Sequence, residues 1–207
     1  MRIVALAALL GACNIDGTFG GTAVGNPTGM DMSVGAPKGS SVESASLPGA
    51  DLAVIACDGR TQAVDVPHTI KLLERTPIEL LPGPICEIQL LPHGPIQMQT
   101  AYDNEGEAVL IDLNLDLPDL SFVLTGDAPA LVMEFGHTGW LDLVELELDK
   151  QNEKISPGDD LHDEILALLI AETGLYADGD EDGFVADGAA LLAPAVVAEA
   201  ADDDAGP

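Results

Sequence analysis

The sequence predicts a mainly β protein: an antiparallel β-sandwich, Ig-like or a small barrel, followed by a short helix–loop–helix. Three observations carry that prediction. Between residues 52 and 148 apolar residues recur with period two, as Val109, Ile111, Leu113, Leu115 and Leu117 do against Asp112, Asn114 and Asp116, the pattern of strands buried on one face. Pro77, Pro82, Pro84, Pro92, Pro95, Pro118 and Pro129 punctuate these runs, where a missing N–H does least harm to a ladder. Beyond residue 150 the period lengthens: Leu161, Ile165, Leu168 and Leu169 share one helical face, and Gly174 is a natural stop.

Taken in order, residues 14–48 are rich in Gly, Ser, Thr, Pro and Asn with isolated apolar residues, which predicts a flexible tether. Within it GGTAVGNP, residues 20–27, has the makings of one short edge strand and turn. Strands are expected at 52–57, 69–74, 77–81, 86–91, 96–102, 109–117, 121–125, 130–135 and 140–148. Asp103-Asn104-Glu105-Gly106 reads as the hairpin connection between two of them, because Asn and Gly tolerate the positive φ of such turns. Ser156, with Pro157 next and Asp159 three residues on, has the order of an N-cap, a first-turn proline and an acidic capping partner. A second helix is expected over 187–200. The expected division is a signal peptide (1–12), a tether (13–48), a sandwich (49–150) and an acidic helical segment with a disordered tail (151–207).

At the N-terminus Arg2 precedes an apolar run, Ile3 to Leu10, and small residues follow before Cys13, the order of a signal peptide and its cut. Leu10-Gly11-Ala12-Cys13 resembles the lipobox of bacterial lipoproteins. That resemblance implies that Cys13 carries a diacylglyceryl thioether and an N-acyl chain such as palmitate, enough acyl chains to hold a bilayer firmly. It also implies an envelope location, and Asn14, in place of the Asp that often marks inner-membrane retention, leans toward the outer membrane, facing periplasm or surface. The alternative is a buried N-terminal strand with a chance cysteine. With Cys13 acylated, Cys57 and Cys86 remain as an even pair, which an oxidising compartment would join. By alternation Cys57 shares a face with Ile55, and Cys86 with Ile88 and Leu90, so both are expected to point inward. Two unpaired buried thiols are the alternative.

Seven basic residues stand against 36 acidic ones, a formal charge of −29. Such a surface repels nucleic acid and anionic headgroups and favours divalent cations or basic partners. Most of the acidity serves solubility, but from Ser156 onward fourteen acidic residues occur with no Lys or Arg. Within that segment Asp178-Gly179-Asp180-Glu181-Asp182-Gly183-Phe184-Val185-Ala186-Asp187 resembles the calcium loop of the EF-hand family. The resemblance implies Asp178, Asp180 and Asp182 as side-chain ligands, Gly183 at the tight turn, Phe184 as a carbonyl ligand and Val185 as the packing residue. Ala189 stands where the family keeps a bidentate Glu, so Asp187 or water is expected to complete the sphere, and affinity is expected to be of the weaker, extracellular type. A solvated acidic turn without metal is the competing reading.

Other chemistry is thin. His68, His93, His137 and His162 are scattered without helical pairing, which argues against zinc. No nucleophile elbow, P-loop or dinucleotide fingerprint occurs. His137-Thr138-Gly139-Trp140, with Tyr102, has the look of a ligand-recognition surface, although a lone Trp entering a strand is more often a core plug. The leading expectation is therefore a lipid-anchored, non-enzymatic envelope protein, structural or binding, with a calcium loop. A glycan- or protein-binding adhesin is the second expectation, and a hydrolase using acidic residues the third.

Overall fold

The computed structural model describes residues 27–80, 82–126, 128–143 and 153–198. Cys13, the GGTAVGNP piece up to Asn26, the end of the strand expected at 140–148 and the tail from 199 lie outside them.

The chain is mainly β, and the strands of the described residues form three mostly antiparallel sheets of five strands each. Sheet I contains β1 (Gly29–Val34), β6 (Ile78–Glu79), β11 (Leu131–Phe135), β13 (Gly174–Ala177) and β14 (Leu191–Pro194), in the order β14-β13-β11-β1-β6. Sheet II contains β2 (Ser40–Leu47), β5 (Ile70–Lys71), β8 (Ile96–Asn104), β9 (Glu107–Leu115) and β12 (Glu153–Ile155), ordered β12-β9-β8-β2-β5. Sheet III contains β3 (Ala50–Ala56), β4 (Thr61–Val64), β7 (Ile85–Pro92), β10 (Leu120–Val123) and β15 (Val196–Val197), ordered β15-β10-β7-β3-β4. Two pairings are parallel, β1 with β11 and β12 with β9.

The β8–β9 hairpin follows directly from its sequence. Nine residue pairs run from Ile96↔Leu115 to Asn104↔Glu107, and the two linking residues, Glu105 and Gly106, take φ of 56° and 89°, as a primed two-residue turn requires. Asp103 closes the turn by accepting the Gly106 N–H at 2.7 Å. Ile96, Met98, Ile111, Leu113 and Leu115 then face the core. That core is one contiguous cluster drawn from all three sheets, with Met30, Leu47, Ile88, Phe122, Phe135 and Leu175 among its members. Each large apolar side chain so buried stabilises the fold by roughly 1.5–3 kcal/mol.

The expected tether is corrected by β1 and β2. In β1, Met30, Met32 and Val34 enter the core while Asp31 and Ser33, on the opposite face, are also buried. This strand sits between β11 and β6, so the ladder of its neighbours supplies an order that its Gly- and Ser-rich setting does not advertise. The boundaries expected at 48/49 and 150/151 do not separate folding units, because sheet I takes strands from all three stretches.

The helix–loop–helix is corrected too. One helix, α1 (His162–Ala171), is present among the described residues, burying Ile165 and Leu169. Ser156 does not cap it. The Asp159 carboxylate instead accepts the Ser156 N–H at 2.6 Å in a turn ahead of the helix, and Leu161 stands at the N-cap without a side-chain bond. Where a second helix was expected, β14 and β15 pair with β13 and β10. β14 is an edge strand, and Pro194 closes it where no further ladder bond is needed.

Cys57 and Cys86 are joined, their Cα atoms 4.9 Å apart across a separation of 29 residues. Neither points into the core: Cys57 is exposed and Cys86 half-buried. The register shifts here, Ile55 pairing with Glu87 and Ala56 with Ile85. Cys86 is thus the extra residue of a β-bulge, which breaks the alternation that would have turned it inward.

Candidate metal centre and the polar face beside it

At Ala177 β13 ends, but the chain stays tied to sheet I through the Asp178 N–H, which donates to the Ala130 carbonyl at 3.0 Å. It then loops out until β14 returns at Leu191. The loop folds on its own aspartates: the Gly183 N–H donates to Asp178 Oδ2 at 3.0 Å and the Phe184 N–H to Asp182 Oδ1 at 2.9 Å. Gly183 takes φ +85° and Glu181 φ +59°, tightening the turn. As a result one carboxylate oxygen from each of Asp178, Asp180 and Asp182 lies within 4.8 Å of the others. Ligands across a calcium ion stand at most about 5 Å apart, given bond lengths of about 2.3–2.6 Å, so one ion can reach all three.

The electrostatics of the loop are unbalanced. Asp178 is only 2% exposed, and its Oδ1 has no hydrogen-bond partner. A buried polar atom left so costs about 1–3 kcal/mol, more when charged. Asp180 and Asp182 are exposed, as ligands of a partly hydrated ion would be. This donor set, all oxygen and all carboxylate, fits a hard divalent cation. Asp187 is corrected: it sits exposed in the turn at 187–188, outside the group of three. Phe184 follows the turn with its ring partly exposed. The loop also departs from an EF-hand in its flanks, since strands rather than helices lead in and out.

Asp31, which sequence reasoning missed, borders the same loop. A side-chain carbon on Gly183 would lie 3.0 Å from Asp31 Cγ, 3.1 Å from its Oδ2 and 3.0 Å from Arg75 Cγ. Asp31 is 4% exposed, its Oδ2 takes a long bond of 3.3 Å from Arg75 Nε, and its Oδ1 has no partner. The signal was present as a lone acid at alternate spacing between Met30 and Met32, but nothing in the sequence relates it to residue 183.

A second polar group lies on the same face of sheet I. Glu134 Oε2 is 2.7 Å from His137 Nδ1, and the His137 ring stacks on Tyr176 at 5.3 Å between centroids. Burial pushes the Glu134 carboxyl above its usual range, opposed by the bond and charge of His137. Burial first, then the charges of Glu134 and Glu172, pushes the Tyr176 phenol up. Ser33 is the register partner of Glu134, yet its buried Oγ has no hydrogen-bond partner. Ser33 Oγ is thus not hydrogen-bonded to His137 in this structure.

The expected recognition surface is corrected. Trp140 is 5% and Tyr102 7% exposed, so neither ring is presented to a ligand. Trp140 Nε1–H donates to the Gly35 carbonyl at 3.1 Å, a core plug with its polar end satisfied. A hollow of about 350 Å³ lies on sheet II, lined by Ser44, Ser46, Gln97, Gln99, Asp112, Asn114 and Lys154 among others. Among the described residues, the aspartate triad is the group of three or more His, Cys, Asp or Glu side chains placed to hold a metal, and no helix is long and apolar enough to cross a membrane. No protein-family model, curated protein or solved structure matches the chain.

Proposed function

We propose that this protein is a non-enzymatic, calcium-binding module of the bacterial cell envelope, exported and held to a membrane by lipid on Cys13. The observation that carries the calcium reading is Asp178, whose Oδ1 is buried and unpartnered in a carboxylate grouped with those of Asp180 and Asp182. Calcium bound there supplies positive charge that no Lys or Arg of the segment from Ser156 onward provides. Asp178, Asp180 and Asp182 hold the ion, and Gly183 shapes the turn. The Cys57–Cys86 bond supports an oxidising compartment, and Leu10-Gly11-Ala12-Cys13 supports the anchor, with the outer membrane as its destination.

Calorimetric titration of the full chain with calcium tests the site: binding at micromolar to millimolar concentration is expected, abolished in Asp180→Ala. A flat trace for the parent protein removes it. Mass spectrometry of the N-terminus tests the anchor, and an unmodified Met1 in a cytosolic product ends that part of the proposal.

A binding role for the module is supported by the sheet II hollow. Its hydroxyl and amide lining suits a polyhydroxylated ligand such as an envelope glycan, held by hydrogen bonds. Glycan-array signal lost on Gln99→Ala supports it, and a blank array counts against it.

A further inference from the structure

The loop and β1 share more than a border. Asp31 and Asp178 are both buried acids, each with one oxygen that no protein group satisfies, and both lie against Gly183, Asp178 through its backbone N–H and Asp31 against its Cα hydrogens. In this structure Asp31 lies outside the group of three carboxylates, and among the described residues Arg75 is the cation that reaches it. Arg75, on the segment between β5 and β6, reaches Asp31 through a single long contact, and its side chain is half exposed. Arginine matched to a carboxylate usually makes two short parallel bonds; here the contact is weak and one-sided.

We infer that Asp31 belongs to the calcium site and that Arg75 is the internal cation competing with calcium for it. The inference rests on the calcium reading above. In the absence of calcium Arg75 offsets part of the charge of Asp31 and holds it outside the group of three, which Asp31 joins only when the ion binds. Calcium, carrying twice the charge and reaching the loop carboxylates as well, displaces it. Binding then ties the 178–190 loop to the second strand from the edge of sheet I and releases Arg75 to solvent. Asp31 also supplies a fourth carboxylate, which makes good part of the loss at Ala189, where the EF-hand pattern has its bidentate acid.

Calorimetric titration of the full-length protein with calcium chloride, run on three variants, tests this. Asp31→Asn, of nearly equal shape, is expected to weaken calcium by at least about 10-fold, the smallest loss typical even of a group outside the ligand set. Arg75→Gln, a surface change, is expected to tighten it about three- to fivefold, the scale of one partly exposed ion pair. Asp180→Ala is expected to abolish binding. The Arg75 Nε–H resonance is expected to move on calcium addition to the parent protein. The exchange needs opposite shifts in Asp31→Asn and Arg75→Gln, and failure of either overturns it while binding to the parent keeps the calcium reading. A flat titration of the parent overturns both. Should Asp31→Asn fail to fold, the direction of the Arg75→Gln shift decides alone.

Discussion

Trp140 and Gly35 are joined by a hydrogen bond from the indole N–H to the backbone carbonyl, 3.1 Å long and buried. The bond fixes the turn after β11 to the end of β1, and the ring fills space beside Gly136. Trp140→Ala is therefore expected to cost about 3–5 kcal/mol, as for a buried aromatic truncated to a cavity. Urea unfolding followed by circular dichroism measures it. A cost under about 1 kcal/mol would return Trp140 to the candidates for a surface ligand contact.

The Glu134–His137 pair predicts a pH dependence. The folded protein holds the Glu134 proton more tightly than the unfolded chain, whose value is about 4.5. The contribution of Glu134 is thus most favourable below that value and is lost as pH rises through the raised folded value. Glu134→Gln removes the titration while keeping an acceptor for the His137 N–H. The wild-type protein should therefore lose ground to this variant as pH climbs from about 4.5 into the mildly acidic range. Parallel urea midpoints at several pH values read the difference, and a flat difference counts against burial as the dominant influence.

The disulfide closes a loop between residues 29 apart in sequence, worth about 3 kcal/mol in the chain-entropy model. Because Cys57 is exposed, reductant is expected to reach the bond without global unfolding. Thiol trapping under native conditions should label both cysteines, and the reduced protein should unfold at lower urea by the corresponding amount.

Calcium should stabilise the fold by mass action. At a concentration one hundred times Kd the gain is about 2.7 kcal/mol. Thermal unfolding in calcium against chelator is expected to show it in the parent protein and not in Asp178→Asn.

Much of the strand content was legible because it was local. The β8–β9 hairpin was readable from alternation and its Asn–Glu–Gly turn, and β3, β7, β10 and β11 from short apolar runs between turn residues. Cys86 was misplaced because a bulge needs knowledge of the partner strand, which alternation along one strand does not contain. Leu191 to Val197 looked helical as an Ala-rich apolar run, yet free edges on β13 and β10 take it as strand, tertiary pairing overriding local preference. β1 was hidden for the opposite reason: its Met-x-Met-x-Val stripe is short and sits among glycines and prolines. Of the candidate site, the grouping of Asp178, Asp180 and Asp182 was legible through the resemblance of their loop to that of the EF-hand family. Asp31 was not, since only the closing of β1 beside β11 brings it to the loop.

The interleaving of sheet I sets an order of events for the newborn chain. β1 has only the two-residue strand β6 to pair with until β11 is present, and β11 stays open on its other side until β13 and β14 emerge near the end. Pairings so distant along the backbone are slow to find. A chain emerging from its N-terminus first therefore exposes β1 well before the strands that complete sheet I, leaving an interval in which its edge is open to other partners.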